Sequence, residues 1–182
     1  TVPSASIVIE AVWWLIRGGA LNVKDTKEVN VKQALITLHW AAWIQKQKNA
    51  EWAQGNKLKV KDLDAVLRLA LEAFLIVLSG EAGTGKTHMI RIQETLCEHF
   101  FWKDSFAKTA PTNTAARILQ GDTSHAFHKL PPHNLKGKRG KLSGKPLMEL
   151  QRRFAKLKAE VCDEMSMQIP QILHQIDQRC QT

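Results

Sequence analysis

The sequence predicts an α/β domain, a parallel sheet covered by helices, preceded by a mainly helical N-terminal segment. Three observations predict it. From Phe74 onward, strand-like apolar runs alternate with helical stretches, the order that gives a parallel sheet with helices on both faces. A glycine-rich loop, Gly80 to Thr87, stands between one such run (Phe74 to Leu78) and a helical stretch from Lys86 to Phe100. An acidic pair, Asp163-Glu164, ends the last strand-like run, Ala159 to Cys162. In such a fold the ligand lies at the carboxyl ends of the strands, where the loop already sits.

The elements follow in order. Among the first 28 residues, Val12 to Ile16 with Trp13 and Trp14 suggests a buried element before a Gly18-Gly19 turn. Asn30 is a candidate N-cap for a helix from Val31 to about Gln54. Leu35, Leu38 and Ala42, with Ala34 and Ala41, are expected on its buried face. Trp40, Trp43 and Trp52 are expected in the core rather than as base-stacking residues. A polar stretch, Gln54 to Lys61, leads to a second helix over Asp62 to Ala73. After the strand at Phe74, the loop and its helix come a strand over Ser105 to Thr109, short helices, a basic loop and a helix. The strand Ala159 to Cys162 and a last helix complete the chain. Pro146 and Pro170 fall where a first helical turn tolerates proline. Residues 1–60 are assigned to the helical segment and 61–182 to the sheet domain.

Gly80-Glu81-Ala82-Gly83-Thr84-Gly85-Lys86-Thr87 meets every fixed position of G-x-x-x-x-G-K-[ST]. The glycines let successive N–H groups point into one concavity at a helix N-terminus, an anion nest. Lys86 would reach the β- and γ-phosphates, and the Thr87 hydroxyl would ligate Mg²⁺. The bland alternative is a glycine-rich turn between a strand and a helix. At the other end, Asp163 would hold Mg²⁺ through water and Glu164 would orient or deprotonate the attacking water. An Asp-Glu pair alone is weak, but this one stands 77 residues after Lys86 in the same strand-then-loop register.

A chain of 182 residues and 20.5 kDa suits one ordinary domain with a small appendage. Cys97, Cys162 and Cys180 are widely spaced, with neither a disulfide framework nor a zinc pattern, and are expected as reduced, mostly buried thiols in an intracellular protein. The longest apolar stretch, Ala5 to Ile16, contains Glu10 and is too short to span a bilayer. The formal net charge of +9 is concentrated. Lys129 to Lys158 holds ten basic residues against Glu149 alone, while the remainder carries 16 of each sign. Such a stretch is the footprint of a polyanion-binding surface, with a solvated loop and helix face as the alternative.

Four segments occur in order: Gly80 to Ile90; Ala110-Pro111-Thr112-Asn113-Thr114-Ala115-Ala116; Gly121-Asp122-Thr123-Ser124-His125-Ala126-Phe127 with Leu130-Pro131; and Asp163-Glu164-Met165-Ser166-Met167. Together they resemble the N-terminal motor half of the Pif-type DNA helicases (petite integration frequency family, superfamily one). The versions in eukaryotic genomes and in Helitron transposons are especially similar. Leu173, Gln175-Ile176-Asp177 and Arg179 extend the resemblance, which covers roughly residues 74 to 182.

The resemblance implies a RecA-like P-loop NTPase domain using ATP and Mg²⁺. It implies 5′-to-3′ translocation on single-stranded DNA and unwinding at duplex junctions, with roles in repair, recombination and telomere maintenance. A nuclear or mitochondrial location, a monomer and no membrane partner go with it. Carried over by residue, Gly80, Glu81, Ala82, Gly83, Thr84, Gly85, Lys86, Thr87 and His88 form the nucleotide loop, and Asp163 and Glu164 are the metal and water residues. Pro111, Thr112 and Asn113 would touch the DNA strand, as would His125, for which a histidine packed beneath a loop is the alternative. From the charge count, Lys136, Lys138, Arg139 and Lys141 of the basic loop would add phosphate contacts. Gln33, in Val29-Asn30-Val31-Lys32-Gln33, is the candidate reader of the adenine edge, 47 residues before Gly80.

Three departures stand out. Asn113 replaces the usual glycine, and Asn tolerates left-handed φ better than most residues. Cys162 replaces a branched aliphatic. The family's later motifs, including the second RecA-like domain and its arginine finger, lie beyond Thr182, so a partial motor domain is expected. The rival readings are a non-catalytic ATP- and DNA-binding remnant of a Helitron-type element, and an unrelated P-loop ATPase such as a clamp or helicase loader.

Overall fold

The computed structural model describes residues 31–55, 77–81, 83–131 and 142–181. The chain divides into two compact units, Thr1–Leu96 and Cys97–Thr182. The expectations for residues 1–30, for the helix over Asp62 to Ala73, for the 60/61 domain boundary and for the basic loop lie outside the described residues.

In the first unit, α1 (Val31–Gly55) is a single helix of 25 residues. Its buried face runs through Thr37, Trp40, Ala41, Ile44, Gln45 and Ala50, a spacing of three and four that keeps one stripe inward. Of the face expected through Leu35, Leu38, Ala42, Ala34 and Ala41, Ala41 is buried and Ala34 and Leu38 are half-buried, but Leu35 is 53% exposed and Ala42 is exposed. Both stripes fit helical spacing, and the one carrying tryptophan and isoleucine removes more apolar area from water. Trp40 is 5% exposed and its ring lies 5.3 Å from that of Trp43, so it is a core residue.

The helix α2 (Lys86–Phe100) has the expected bounds. Met89, Ile90, Ile92, Leu96 and Cys97 form its buried stripe. The strand expected over 74–78 is not seen in its described part. Val77 and Leu78 carry no strand pairing, and Val77 is 70% exposed. Apolar, β-branched residues give propensity, but a strand also needs ladder hydrogen bonds.

The second unit is built on three parallel strands in the order β2-β1-β3: β1 (Phe106–Ala110), β2 (Asp122–Thr123) and β3 (Ala159–Cys162). β1 is central and buried at four of its five positions, as expected where both faces are covered. It starts one residue later than the Ser105 expected. Phe106 pairs with Ala159 and Thr109 with Cys162, so the carboxyl ends of β1 and β3 finish side by side. The two-residue β2 was not expected, being too short to show a periodicity.

Four helices accompany this sheet, α3 (Asn113–Leu119), α4 (Ser124–Phe127), α5 (Gly144–Lys156) and α6 (Pro170–Cys180), the first two packing on its strands. They bury Ala116 and Leu119, Phe127, Leu150, and Ile172 respectively. Pro170 opens α6 at its first turn and Pro146 lies in the first turn of α5, as expected. After α3 the chain turns through Gln120 at φ 56° into Gly121. A Cβ at Gly121 would strike the Lys108 carbonyl, so this turn needs glycine for close approach. Of the three free cysteines only Cys97 is buried, Cys162 being half-buried and Cys180 exposed. Among the described residues no helix is long and apolar enough to cross a membrane.

Candidate functional site

The phosphate loop is shaped by its own short-range chemistry. Gly83 and Gly85 adopt φ of 82° and 87°, a region that L side chains rarely enter. α2 starts at Lys86, immediately after this double reversal. The first-turn amides of a helix have no intrahelical acceptor, so they are available to an anion. The Lys86 ammonium donates to the carbonyls of Gly80 and Glu81 at 2.7 and 2.9 Å. Thr84 Oγ1 also donates to the Glu81 carbonyl, at 2.9 Å. The lysine thus lies back across the loop on two neutral carbonyls, contacts that a triphosphate would outcompete by charge. Thr87 and His88 are half-buried in the first turn of α2. His88 Nε2 is buried without a partner among the described residues. Ala82 lies outside them.

Gln33, 51 positions away from its partner in sequence, comes to this loop. Its Nε2 donates to the Thr84 carbonyl at 3.2 Å. A Cβ placed on Gly85 would stand 2.5 Å from the same nitrogen. Gly85 therefore supplies both a left-handed backbone and the space that the Gln33 amide occupies.

The acidic pair follows β3 in the second unit. Asp163 is half-buried, and its amide donates to the Thr109 carbonyl at 2.9 Å, extending the β1–β3 ladder by one rung. Glu164 is exposed and sits at φ 53°, in the left-handed region. For a residue with a Cβ this costs about 1–2 kcal/mol. The strain turns the chain out of β3 into a 3₁₀ turn, Met165–Met167, and aims residue 164 away from the strand direction. Strained backbone of this kind is found at functional sites.

Of the expected DNA-contact residues, Pro111 and Thr112 are half-buried after β1 and Asn113 is exposed. Thr112 is the N-cap of α3, its hydroxyl accepting from the Ala115 amide at 3.2 Å. Asn113 opens the right-handed helix, so the left-handed tolerance considered for it is not used. His125 is half-buried on α4, whereas the neighbouring His128 is fully buried. Lys136, Lys138, Arg139 and Lys141 lie outside the described residues. Within the rest of the basic stretch, Lys129 pairs with Glu149 at 3.6 Å and Arg153 with Asp122 at 3.5 Å. Arg153 also lies 4.8 Å over the Phe127 ring. Lys145, Arg152 and Lys156 are exposed on α5. Part of the positive charge therefore fastens the unit together, and part faces solvent.

The sequence reading missed Thr109, Glu160 and His128, which together hold the end of β3. The available signal was Glu160 itself, a lone carboxylate inside a four-residue strand. Burial pushes the Cys162 thiol beside it up from its ordinary value, so this cysteine stays protonated. Among the described residues no cluster of three His, Cys, Asp or Glu side chains forms a metal site.

A family model described as PIF1-like helicase matches residues 58–182. The chain is 29% identical over 140 residues to the ATP-dependent DNA helicase PIF1 of Saccharomyces cerevisiae, a match that covers 73% of this chain and 16% of that protein. It thus spans about a sixth of that relative's length. No solved structure matches. The family match and the helices around a parallel sheet together give an α/β RecA-like domain behind a helical segment.

Proposed function

Because the chain belongs to the PIF1-like helicase family, we propose that it binds and hydrolyses ATP and couples hydrolysis to 5′-to-3′ movement on single-stranded DNA. The observation that carries this reading is the phosphate loop: two left-handed glycines, a lysine held across them and a helix starting at that lysine. The donor set suits ATP with Mg²⁺. Amides and an ammonium suit phosphate, while the Thr87 hydroxyl and the Asp163 carboxylate are hard oxygen ligands. When bound, Mg²⁺ would neutralise charge on the β- and γ-phosphates.

The protein's own part is positioning. Lys86, released from the Gly80 and Glu81 carbonyls, meets charge that builds on the phosphoryl oxygens. The loop amides fix the chain of phosphates. Glu164 holds the attacking water and takes its proton. Gln33, already on the loop backbone, reads the adenine edge. Pro111, Thr112, Asn113 and His125 border the DNA strand, and Lys136, Lys138, Arg139 and Lys141 add contacts to its backbone. Action at duplex junctions, roles in repair, recombination and telomere maintenance, and a nuclear location belong to the same proposal.

The test is ATP hydrolysis measured with and without single-stranded DNA. Stimulation by DNA supports the coupled reading, and hydrolysis that ignores DNA contradicts the coupling. Replacing Lys136, Lys138, Arg139 and Lys141 together by alanine should flatten the dependence of DNA affinity on salt, by roughly one unit of log–log slope for each lost phosphate contact. An unchanged slope assigns that loop to solvent.

A further inference from the structure

Behind the carboxyl end of β3 lies a buried polar cluster that the phosphate chemistry leaves unused. His128, Ser124 and Thr109 are each 0% exposed. His128 Nδ1 lies 3.0 Å from the Ser124 carbonyl, and Nε2 lies 3.1 Å from Glu160 Oε2. Both partners are acceptors. A neutral imidazole has one donor and one acceptor nitrogen, so only the doubly protonated ring satisfies both contacts.

The cluster reaches the acidic pair from two sides. Glu160 Oε1 accepts from the Thr109 hydroxyl at 2.7 Å, and the Thr109 carbonyl accepts from the Asp163 amide at 2.9 Å. Thr109 is therefore joined to the ion pair by its side chain and to Asp163 by its backbone. Beyond the pair, Gln168 Nε2 donates to Ser124 Oγ at 2.6 Å and lies 3.0 Å from Cys162 Sγ. Ser124 thus holds the histidine ring through its carbonyl and the chain after Glu164 through its hydroxyl.

The groups facing His128 from each neighbouring element are few. Glu160 approaches from β3 and the Cys180 thiol from α6. From α5, Phe154 stands edge-on at 6.0 Å, and Arg153 donates to the Phe127 carbonyl beside the histidine while pairing with Asp122 of β2. Lys129, next in sequence, is drawn to Glu149. Burial alone would lower the ring's proton affinity. The hydrogen bonds to Cys180 and Glu160, the Glu160 charge and the Ser124 carbonyl outweigh it, raising the pKa to about 9.

Resting on the roles given to Asp163 and Glu164 above, we propose that His128 is a positioning residue: as an imidazolium fixed between Glu160 and Ser124, it locks the Thr109–Asp163 rung and so places the acidic pair for ATP hydrolysis. The ion pair touches neither ATP nor DNA in this role. It acts through Thr109.

Carbon-detected NMR across pH 6 to 10 tests this on the whole chain, following the His128 ring and the backbone carbons of Thr109, Asp163 and Glu164. All four should titrate with one midpoint near 9. In His128→Gln the backbone carbons should stop titrating in that range, and kcat for ATP should fall about tenfold to a hundredfold with KM little changed. Glu160→Gln keeps the shape but removes the charge and one of the two acceptor oxygens, so it serves if His128→Gln fails to fold. It should move the His128 midpoint down by about 1–3 units. Asp163 carbons indifferent to the His128 titration, or an unmoved midpoint in Glu160→Gln, would overturn the proposal. A wild-type chain that shows the coupling but binds no ATP would instead refute the nucleotide reading, and with it the catalytic purpose of the coupling.

Discussion

Around the phosphate loop, Lys86 and Thr84 turn onto carbonyls five, six and three residues away, and among the described residues Gln33 comes from a distance. At the end of β3, Thr109 binds the Asp163 amide and Glu160, His128 binds Glu160, and Gln168 binds Ser124, contacts drawn from three further stretches of chain. The loop's contacts are solvent-exposed; those of the strand end are buried or half-buried. The difference assigns each region a manner of working. On the reading proposed above, a loop whose lysine rests on its own neutral carbonyls would rearrange on binding a triphosphate. On the same reading, a strand end fastened by a half-buried ion pair would be in place beforehand, and its charges would cost little to reorganise during hydrolysis.

The sharpest way to separate the two regions is Glu164→Gln. Turnover should drop by roughly 10²–10⁴ through loss of a general base, while ATP affinity by calorimetry stays near the wild-type value. Persistent turnover would remove the water-handling role from the strand end. Next comes Lys86→Ala, which takes charge from the loop. Affinity and turnover should fall together, turnover by roughly 10²–10³, and normal ATP affinity in this variant would break the loop half of the comparison.

A smaller effect comes from the ion pair's link to stability. The His128 pKa in the folded chain, about 9, lies above the ordinary 6.5. The folded state therefore binds the proton more tightly, and the stabilisation is complete below pH 6.5 and lost as pH rises through 9. Up to about 3 kcal/mol is at stake. Thermal unfolding at pH 6.5 and pH 10 should show wild type losing stability over that interval and His128→Gln losing much less. Equal losses would place the pH sensitivity elsewhere. The smallest effect is Thr112→Ala, which removes the cap of α3 and should cost about 1 kcal/mol in denaturant unfolding.

The same contrast decides what could be read from sequence. The loop is legible because its requirements are consecutive: glycines where φ turns positive, a lysine and a threonine where a helix begins. The bounds of α2 and β3 follow from equally local patterns. Which face of α1 is buried does not, since Leu35 and Trp40 both fit helical spacing and the choice rests on what packs against them. Val77 has the propensity of a strand, but strand pairing needs a partner that a run of apolar residues does not specify. His128 and Glu160 are 32 residues apart, and no spacing rule joins them. Their meeting depends on the parallel register that sets Thr109 beside Cys162. Glu164's left-handed φ is equally unreadable, because nothing in Asp-Glu-Met-Ser-Met asks for it.

Whether one ion joins the two regions can be measured directly with Mn²⁺ in place of Mg²⁺. In the NMR spectrum of the ATP-bound chain, Mn²⁺ should broaden the signals of Thr87 and of Asp163 together, and Glu164 with them. Broadening confined to Thr87 and its loop, with Asp163 and Glu164 left sharp, would contradict a shared metal and the hydrolytic reading built on it.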